Sequence, residues 1–266
     1  MSDPRLTPDP ARMMQSEPAQ VCVPLTDLMR QPGGPRDRQL LLGADVTLMD
    51  AQGSWAYVQA QADGYCGYVE RHHLAAALAI THRIIAPATH AYLDADIKSA
   101  DRTSLSHGSR VAATGQSDGF IETAHGHIPR QHLAPVDSLH DDPAEVAALF
   151  IGTPYLWGGN SRWGIDCSGL VQAACAACGL ICPGDSDLQE GALGSEVTDD
   201  SPPQRNDLLF WKGHVALVYD AQTLIHANAH AMATVFEPLQ DAIDRIAQAD
   251  GPVTSHRRLA VSPPRG

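Results

Sequence analysis

A chain of 266 residues, 44% hydrophobic and 18% charged, is long enough for two or three domains that each bury a core. Its formal net charge of −13 argues against a nucleic-acid partner or electrostatic docking on anionic lipid or wall polymers, and favours a small or locally recognised substrate. Cys22, Cys66, Cys167, Cys175, Cys178 and Cys182, four of them within sixteen residues, read as free thiols rather than a disulfide frame.

Residues 1–20, "MSDPRLTPDPARMMQSEPAQ", carry prolines and charges where a secretory leader has an apolar core, and read as a loose polar arm without an export signal. No run of about 18 apolar residues follows, so no membrane-crossing helix is expected. From Val21 onward, "LLLGADVTLMD", "SWAYVQAQ" and "GYCGYVERHHL" are strand-length runs separated by "AQGS" and "ADGY" turn signals. "GYVERHHL" (67–74) and "GHIPRQHL" (126–133) share a glycine, an aliphatic residue, an arginine and a final His-Leu at the same offsets, 59 residues apart. The spacing suggests a duplicated small barrel, one copy over 21–78 and another over 79–137. Both stretches resemble bacterial SH3-like domains in their short strands and closing "GYV…L" pattern.

A third section begins at residue 138 and runs to 260, with 261–266 as a tail. In "SLHDDPAEVAALF", Asp141 or Asp142 can cap a helix that starts with Pro143. "IGTPYLWGGNSRWG" is a loop rich in glycine and aromatics, and Cys167 follows it. Counted from Cys167, Leu170, Val171, Ala174, Cys175 and Cys178 fall on one helical face, with Gly179 as the stop. Cys167 is therefore expected in the first turn. Unpaired N–H groups there favour a thiolate and can draw the thiol pKa well below its free value. The N–H of Cys167 itself could also stabilise an oxyanion.

A proton acceptor is available downstream. "LLFW", "HVALVY" and "TLIHA" read as three meander strands joined by "KG" and "DAQ". With a three-residue second loop, Ala216 faces His226, and His214 and His226 become diagonal neighbours on one face. A two-residue loop would separate them.

"TPYLWGGNSRWGIDCSGLVQ", "GHVALV" and "LIHA" resemble the NlpC family of papain-like cysteine peptidases, which cut peptidoglycan stem peptides. With duplicated SH3-like barrels ahead, nearly the whole chain resembles one subgroup, the γ-D-glutamyl-L-diamino-acid endopeptidases that require a free N-terminal L-alanine. The resemblance implies Cys167 as nucleophile, His214 as general base and His226 as the polar residue that orients it. Spacing alone agrees on the first two.

For substrate binding the resemblance implies Asp166 and Ser168 at the peptide's amine and backbone, Tyr155 near the oxyanion, Ser186 on the cleft wall and Tyr65 of the first barrel over the amine. Asp166 and Ser168 would otherwise simply cap the helix. Gly184 stands where many relatives carry arginine, and the subgroup's barrel acid is not placed, with Asp37 and Asp45 of the same barrel both candidates. Cys175, Cys178 and Cys182 lack a fourth ligand at a recognisable spacing and read as core packing rather than zinc ligands. Trp157, Gly158 and Gly159 read as structural, and "PLQDAIDRIAQA" as a helix covering the sheet.

The expected architecture is multidomain, with two all-β SH3-like barrels followed by an α+β papain-like peptidase domain. The expected activity is cofactor-free and metal-free hydrolysis of the γ-D-glutamyl–diamino acid bond in a murein-derived peptide, in the cytoplasm during wall recycling. Two readings stand beside it: a secreted or phage-linked lysin acting on intact wall, and a catalytically silent peptide-binding protein.

Overall fold

Hydrogen-bonded ladders organise both halves of the chain. The computed structural model describes residues 3–198 and 201–260 and divides into two units, Met1–Ser138 and Leu139–Gly266. The segment 261–266, expected to be a tail, lies outside the described residues.

In the first unit a seven-stranded antiparallel sheet has the order Arg36–Leu41, Leu25–Met29, Cys66–Glu70, Trp55–Ala60, Asp45–Gln52, Glu17–Val21, Leu74–Ala76. The order is open: the first and last strands are edges, where closure into a barrel was expected. A second group consists of a five-stranded sheet over residues 88–129 and a three-stranded sheet of Arg110–Val111, His82–Ile84 and Leu133–Pro135. Ile84, Ala91, Leu105, Val111, Ile121, Ile128 and Leu133 share one core with Leu42. The sequence repeat has a structural counterpart. "GYVERHHL" and "GHIPRQHL" each run strand, 3-10 turn, strand, with turns at Arg71–His73 and Arg130–His132. In each, the terminal histidine's Nδ1 meets a threonine hydroxyl, His73 on Thr26 at 2.8 Å and His132 on Thr89 at 2.7 Å.

The stretch expected to be a loose arm is tied down. Ala19, Gln20 and Val21 pair with residues 74–76 on one side, and residues 17–20 pair with 45–48 on the other. Further back, the Met14 and Gln15 N–H groups donate to the Met49 carbonyl, and the Cys66 N–H donates to Arg5. The prolines that make this stretch look disordered do not interrupt the ladder. Pro18 lies beyond the part paired with 74–76, so its missing N–H leaves no gap on that side.

The second unit opens with α1, Pro143–Ala148, which Asp142 caps by accepting the Ala144 N–H at 3.0 Å. α2 is Cys167–Ala177, α3 is Ser186–Ala192 and α4 is Leu239–Ala249. A six-stranded sheet has the order Ser195–Glu196, Ser255–Arg258, Asp207–Trp211, His214–Asp220, Thr223–Asn228, Ala233–Pro238.

Strand alternation gives this sheet two apolar faces. Leu208, Phe210, Val215, Leu217, Ile225 and Ala227 join Leu170, Val171, Ala174 and Cys175 of α2 in the larger core. Leu209, Trp211, Ala216, Val218 and Leu224 pack instead with Ala242 and Ile246 of α4, as expected for a helix covering the sheet. Each such fully buried aliphatic side chain contributes about 1.5–3 kcal/mol of transfer free energy. These two faces hold α2 and α4 against the strands that carry His214 and His226.

Candidate active site

Asp166 builds the start of α2. Its Oδ1 accepts the Gly169 N–H at 2.7 Å and the Ser168 hydroxyl at 3.0 Å, and its Oδ2 accepts the Gly158 N–H at 2.8 Å. One carboxylate thus caps the helix and holds the glycine-rich loop against it. Gly158 has φ +69°, a conformation that favours glycine. Gly169 allows close approach, because a Cβ there would strike the Gly159 carbonyl oxygen. The same loop is laced to the last strand pair: the Tyr155 N–H donates to Met232 at 2.9 Å, and the Gly152 N–H donates to Thr234 at 2.9 Å.

Cys167 is the first residue of α2 and is 7% exposed. Burial, followed by the charge of Asp166, pushes its thiol up to about 12; the N–H groups of Val215, Ser168 and Cys167 itself pull the other way. The expectation of a thiolate stabilised by the helix terminus is therefore corrected. The cap that builds the terminus is an anion, and together with burial it outweighs the N–H groups. Val215 immediately follows His214, so the thiol abuts the strand that carries the histidine.

His214 Nε2 lies 3.0 Å from His226 Nδ1, and His226 Nε2 lies 2.8 Å from Glu237 Oε2. Arg245 of α4 forks onto that carboxylate, Nε to Oε1 at 2.8 Å and Nη2 to Oε2 at 2.7 Å. Burial, then the neighbouring His226 and Arg245, lowers His214 to about 3, while Glu237 pulls it upward. Burial also lowers His226. Arg245 first, and His226 after it, hold Glu237 at about 2 against the opposing effect of burial. At neutral pH the resting site therefore holds a thiol, two neutral imidazoles and an ionised carboxylate.

The two histidines come together by a route other than the expected three-residue loop. Leu217 pairs with Ile225 and Val218 with Leu224, but Asp220 pairs with Thr223. The turn itself is only Ala221 and Gln222, and a bulge at Tyr219 supplies the odd residue. Carried one step further, the inner register sets Ala216 opposite His226, the pairing the shared face requires.

Of the remaining sequence-derived candidates, Tyr155 faces Cys167 and Asp166, and burial followed by those two groups pushes its phenol up to about 12. It stays protonated and able to donate. Ser168 is buried and bonded to Asp166. Ser186 opens α3, which Gln189 ties to α2 by donating to the Ser168 carbonyl at 2.9 Å and to Pro183 at 2.9 Å.

Tyr65 belongs to the first unit, is 1% exposed and has the Arg38 guanidinium 5.3 Å from its ring centre. Arg38 also pairs with Asp63. Asp37 pairs with Arg30, and Asp45 with Arg110. All six cysteines are free, and Cys175 and Cys182 pack in the core around α2. Among the described residues, Glu70, His72 and His73 are close enough to share a metal ion, their ligand atoms lying within 4.8 Å of one another, and His73 already bonds Thr26. No helix among the described residues is long and apolar enough to cross a membrane.

Glu237 and Arg245 were not apparent from the sequence. The available signal was alternation: His226 pairs with Val235, so Glu237, two residues on, shares its face.

Residues 152–244 match the NlpC/P60 family, and residues 28–74 match the bacterial dipeptidyl-peptidase SH3 domain. The chain is 32% identical over 219 residues to the dipeptidyl-peptidase 6 of Lysinibacillus sphaericus, covering 71% of this chain and 79% of that protein. It is 27% identical over 215 residues to the gamma-D-glutamyl-L-lysine dipeptidyl-peptidase of Bacillus subtilis strain 168, covering 71% of each. A solved NlpC/P60 family protein from Bacillus cereus ATCC 10987 shares the fold, with a TM-score of 0.76 at 20% identity over 91% of this chain and 99% of that one. At 32% identity over 71% of this chain and 79% of the relative, and with both family matches in place, the chain belongs to the NlpC/P60 family of cysteine peptidases and carries an SH3-like domain of the bacterial dipeptidyl-peptidase type.

Proposed function

We propose that the chain hydrolyses the amide bond between the γ-carboxyl of D-glutamate and a diamino acid in murein-derived peptides with a free N-terminal L-alanine. The observation that carries this reading is the placement of the Cys167 thiol, beside the Asp166 carboxylate, against the N–H of Val215 on the strand where the preceding residue, His214, joins its ring to that of His226. The names of the two relatives, a dipeptidyl-peptidase 6 and a gamma-D-glutamyl-L-lysine dipeptidyl-peptidase, support the bond and the substrate class.

In this mechanism the Cys167 sulfur attacks the γ-carbonyl carbon as its proton passes to His214. A pair that is neutral at rest makes this a general-base step, the proton moving with the attack. The oxyanion is met by the Cys167 N–H and the Tyr155 phenol. Collapse breaks the C–N bond, and His214 returns its proton to the departing amine. Water then attacks the thioester, giving its proton to His214; the C–S bond breaks, and the sulfur recovers that proton. Asp166 and Ser168 hold the substrate's ammonium group, and Ser186 lines the cleft.

Residues 79–137 are proposed to be a second SH3-like module, a reading supported by the matched strand and 3-10 endings and the paired Thr–His contacts. Six free thiols fit a reducing compartment and favour recycling of internalised peptides over lysis of intact wall.

The experiment is a digest of L-Ala-γ-D-Glu-meso-diaminopimelate beside its N-acetylated form, with Cys167→Ala as control. Cleavage of the free peptide alone, lost in the variant, supports the amine-gated peptidase. Equal cleavage of both removes the gate and favours a wall lysin. No cleavage of either favours the silent binder.

A further inference from the structure

An ionised carboxylate can only accept hydrogen bonds, and the Arg245 fork keeps Glu237 ionised. The proton between Glu237 Oε2 and His226 Nε2 therefore resides on the histidine. A neutral His226 then has a bare Nδ1, so the proton in the 3.0 Å contact between the rings resides on His214 Nε2. A neutral His214 is left with a bare Nδ1, the one nitrogen of the two rings that bonds to nothing among the described residues.

We propose that Glu237, clamped by Arg245, is a positioning residue that selects the tautomer of His226 and, through it, leaves His214 Nδ1 free to take the thiol proton. The proposal rests on the reading of His214 as general base. Without a carboxylate at this point, each ring has two tautomers of similar energy, and the arrangement with a proton on His214 Nδ1 blocks the base. When His214 becomes protonated in the reaction, Glu237 also supplies the nearest compensating negative charge.

The charged and titratable groups around the pair come from several elements. His226 lies on the next strand, Glu237 on the last strand and Arg245 on α4, with Asp250 acting on Arg245. The Trp211 ring lies 5.7 Å from that of His214. On the α2 side stand Cys167 with Asp166 and Tyr155. The carboxylate raises the basicity of His214 and the guanidinium lowers it. Removing either one therefore moves the acid limb of activity in opposite directions.

The test uses the full chain with the free tripeptide, comparing wild type with Glu237→Gln, Glu237→Asp, Arg245→Met and His214→Gln. Two readouts are taken: ¹⁵N-histidine spectra of the resting protein and pH profiles of kcat/KM. Wild type is expected to show both rings protonated at Nε2 only. Glu237→Gln is expected to add Nδ1-protonated species, lower kcat by at least about tenfold with KM within about twofold, and move the acid limb to lower pH. Arg245→Met moves the limb to higher pH, and Glu237→Asp recovers most of the lost rate. A purely structural role would lower activity in all three variants and leave tautomers and limbs in place, which overturns the proposal. So does wild-type kcat in Glu237→Gln while His214→Gln is inactive. If His214→Gln stays active, the general-base reading itself fails. Should Glu237→Gln not fold, the absence of an upward limb shift in Arg245→Met is decisive against the proposal.

Discussion

Asp166→Asn separates the structural role of Asp166 from its electrostatic one. Asparagine caps helices as well as aspartate, and its Oδ1 can still accept the Gly169 N–H and the Ser168 hydroxyl. Its amide cannot accept the Gly158 N–H, so the loop loses one hydrogen bond, about 1 kcal/mol. The negative charge beside Cys167 disappears. That thiol stands at about 12 against an ordinary 9.0, and each unit is about tenfold in thiolate population, so wild-type Cys167 holds about a thousandfold less thiolate than an unperturbed cysteine. Burial is the larger cause and Asp166 the second, so removing Asp166 should lower the thiol pKa while the effect of burial remains. Labelling of Cys167 by iodoacetamide near neutral pH, resolved by peptide mass spectrometry with the half-buried Cys22 as internal reference, should accelerate, but by less than that full factor of about a thousand. Peptide cleavage should fall at the same time, because the substrate's ammonium group loses its partner. Unchanged or slower labelling, or a wild-type labelling rate that already plateaus below neutral pH, would refute the electrostatic account.

Acid stability should reveal the Glu237–Arg245 pair. The carboxyl is held at about 2 instead of 4.5, so it contributes stability fully above pH 4.5 and loses that contribution as the pH falls through 2. Urea unfolding should show Glu237→Gln about 1–2 kcal/mol less stable than wild type at neutral pH, with the difference closing between those two values. Gly169→Ala places a Cβ on the Gly159 carbonyl and 3.1 Å from Asn160 Nδ2; a loss of about 2–3 kcal/mol and a lower Tm are expected, with cleavage impaired. Asp207, buried in the sheet, accepts from Arg258 at 2.7 and 2.8 Å and meets His256 Nε2 at 2.6 Å. Asp207→Ala should cost about 3–5 kcal/mol by calorimetry or urea melts, leaving partners without their acceptor far from the thiol's chemistry.

The resting state described above also affects how inhibitors should behave. A neutral thiol beside a neutral imidazole reacts only when an electrophile is held long enough for the proton to move to His214. Electrophiles carrying a free ammonium group for Asp166 should therefore modify Cys167 faster than equally reactive ones without it, and competing tripeptide should protect the thiol.

The local pattern of residues by itself determined a good deal. The 3, 4, 7, 8 series from Cys167 specifies α2 and its buried face, Asp142-Pro143 specifies the start of α1, and Lys212-Gly213 joins two strands that carry apolar residues on both faces. These features follow from helix and strand periods and from caps, which act over a few residues. Tertiary structure decided what depends on register and burial. A bulge at Tyr219 restores the parity that brings the two histidines together, and no composition signal marks it. Residues 17–20 look like the end of a loose arm until residues 45–48 pair with them on one side and residues 75–76 pair with Ala19 and Gln20 on the other. The Cys167 thiol rises instead of falling, because desolvation and the charge of its own helix cap outweigh the terminal N–H groups. Glu237 and Arg245 meet His226 only after a strand pairing and a returning helix have aligned residues far apart in the chain. Short-range patterns specify elements because their energetics are local; register, burial and the ionisation of a site depend on which distant groups finally surround it.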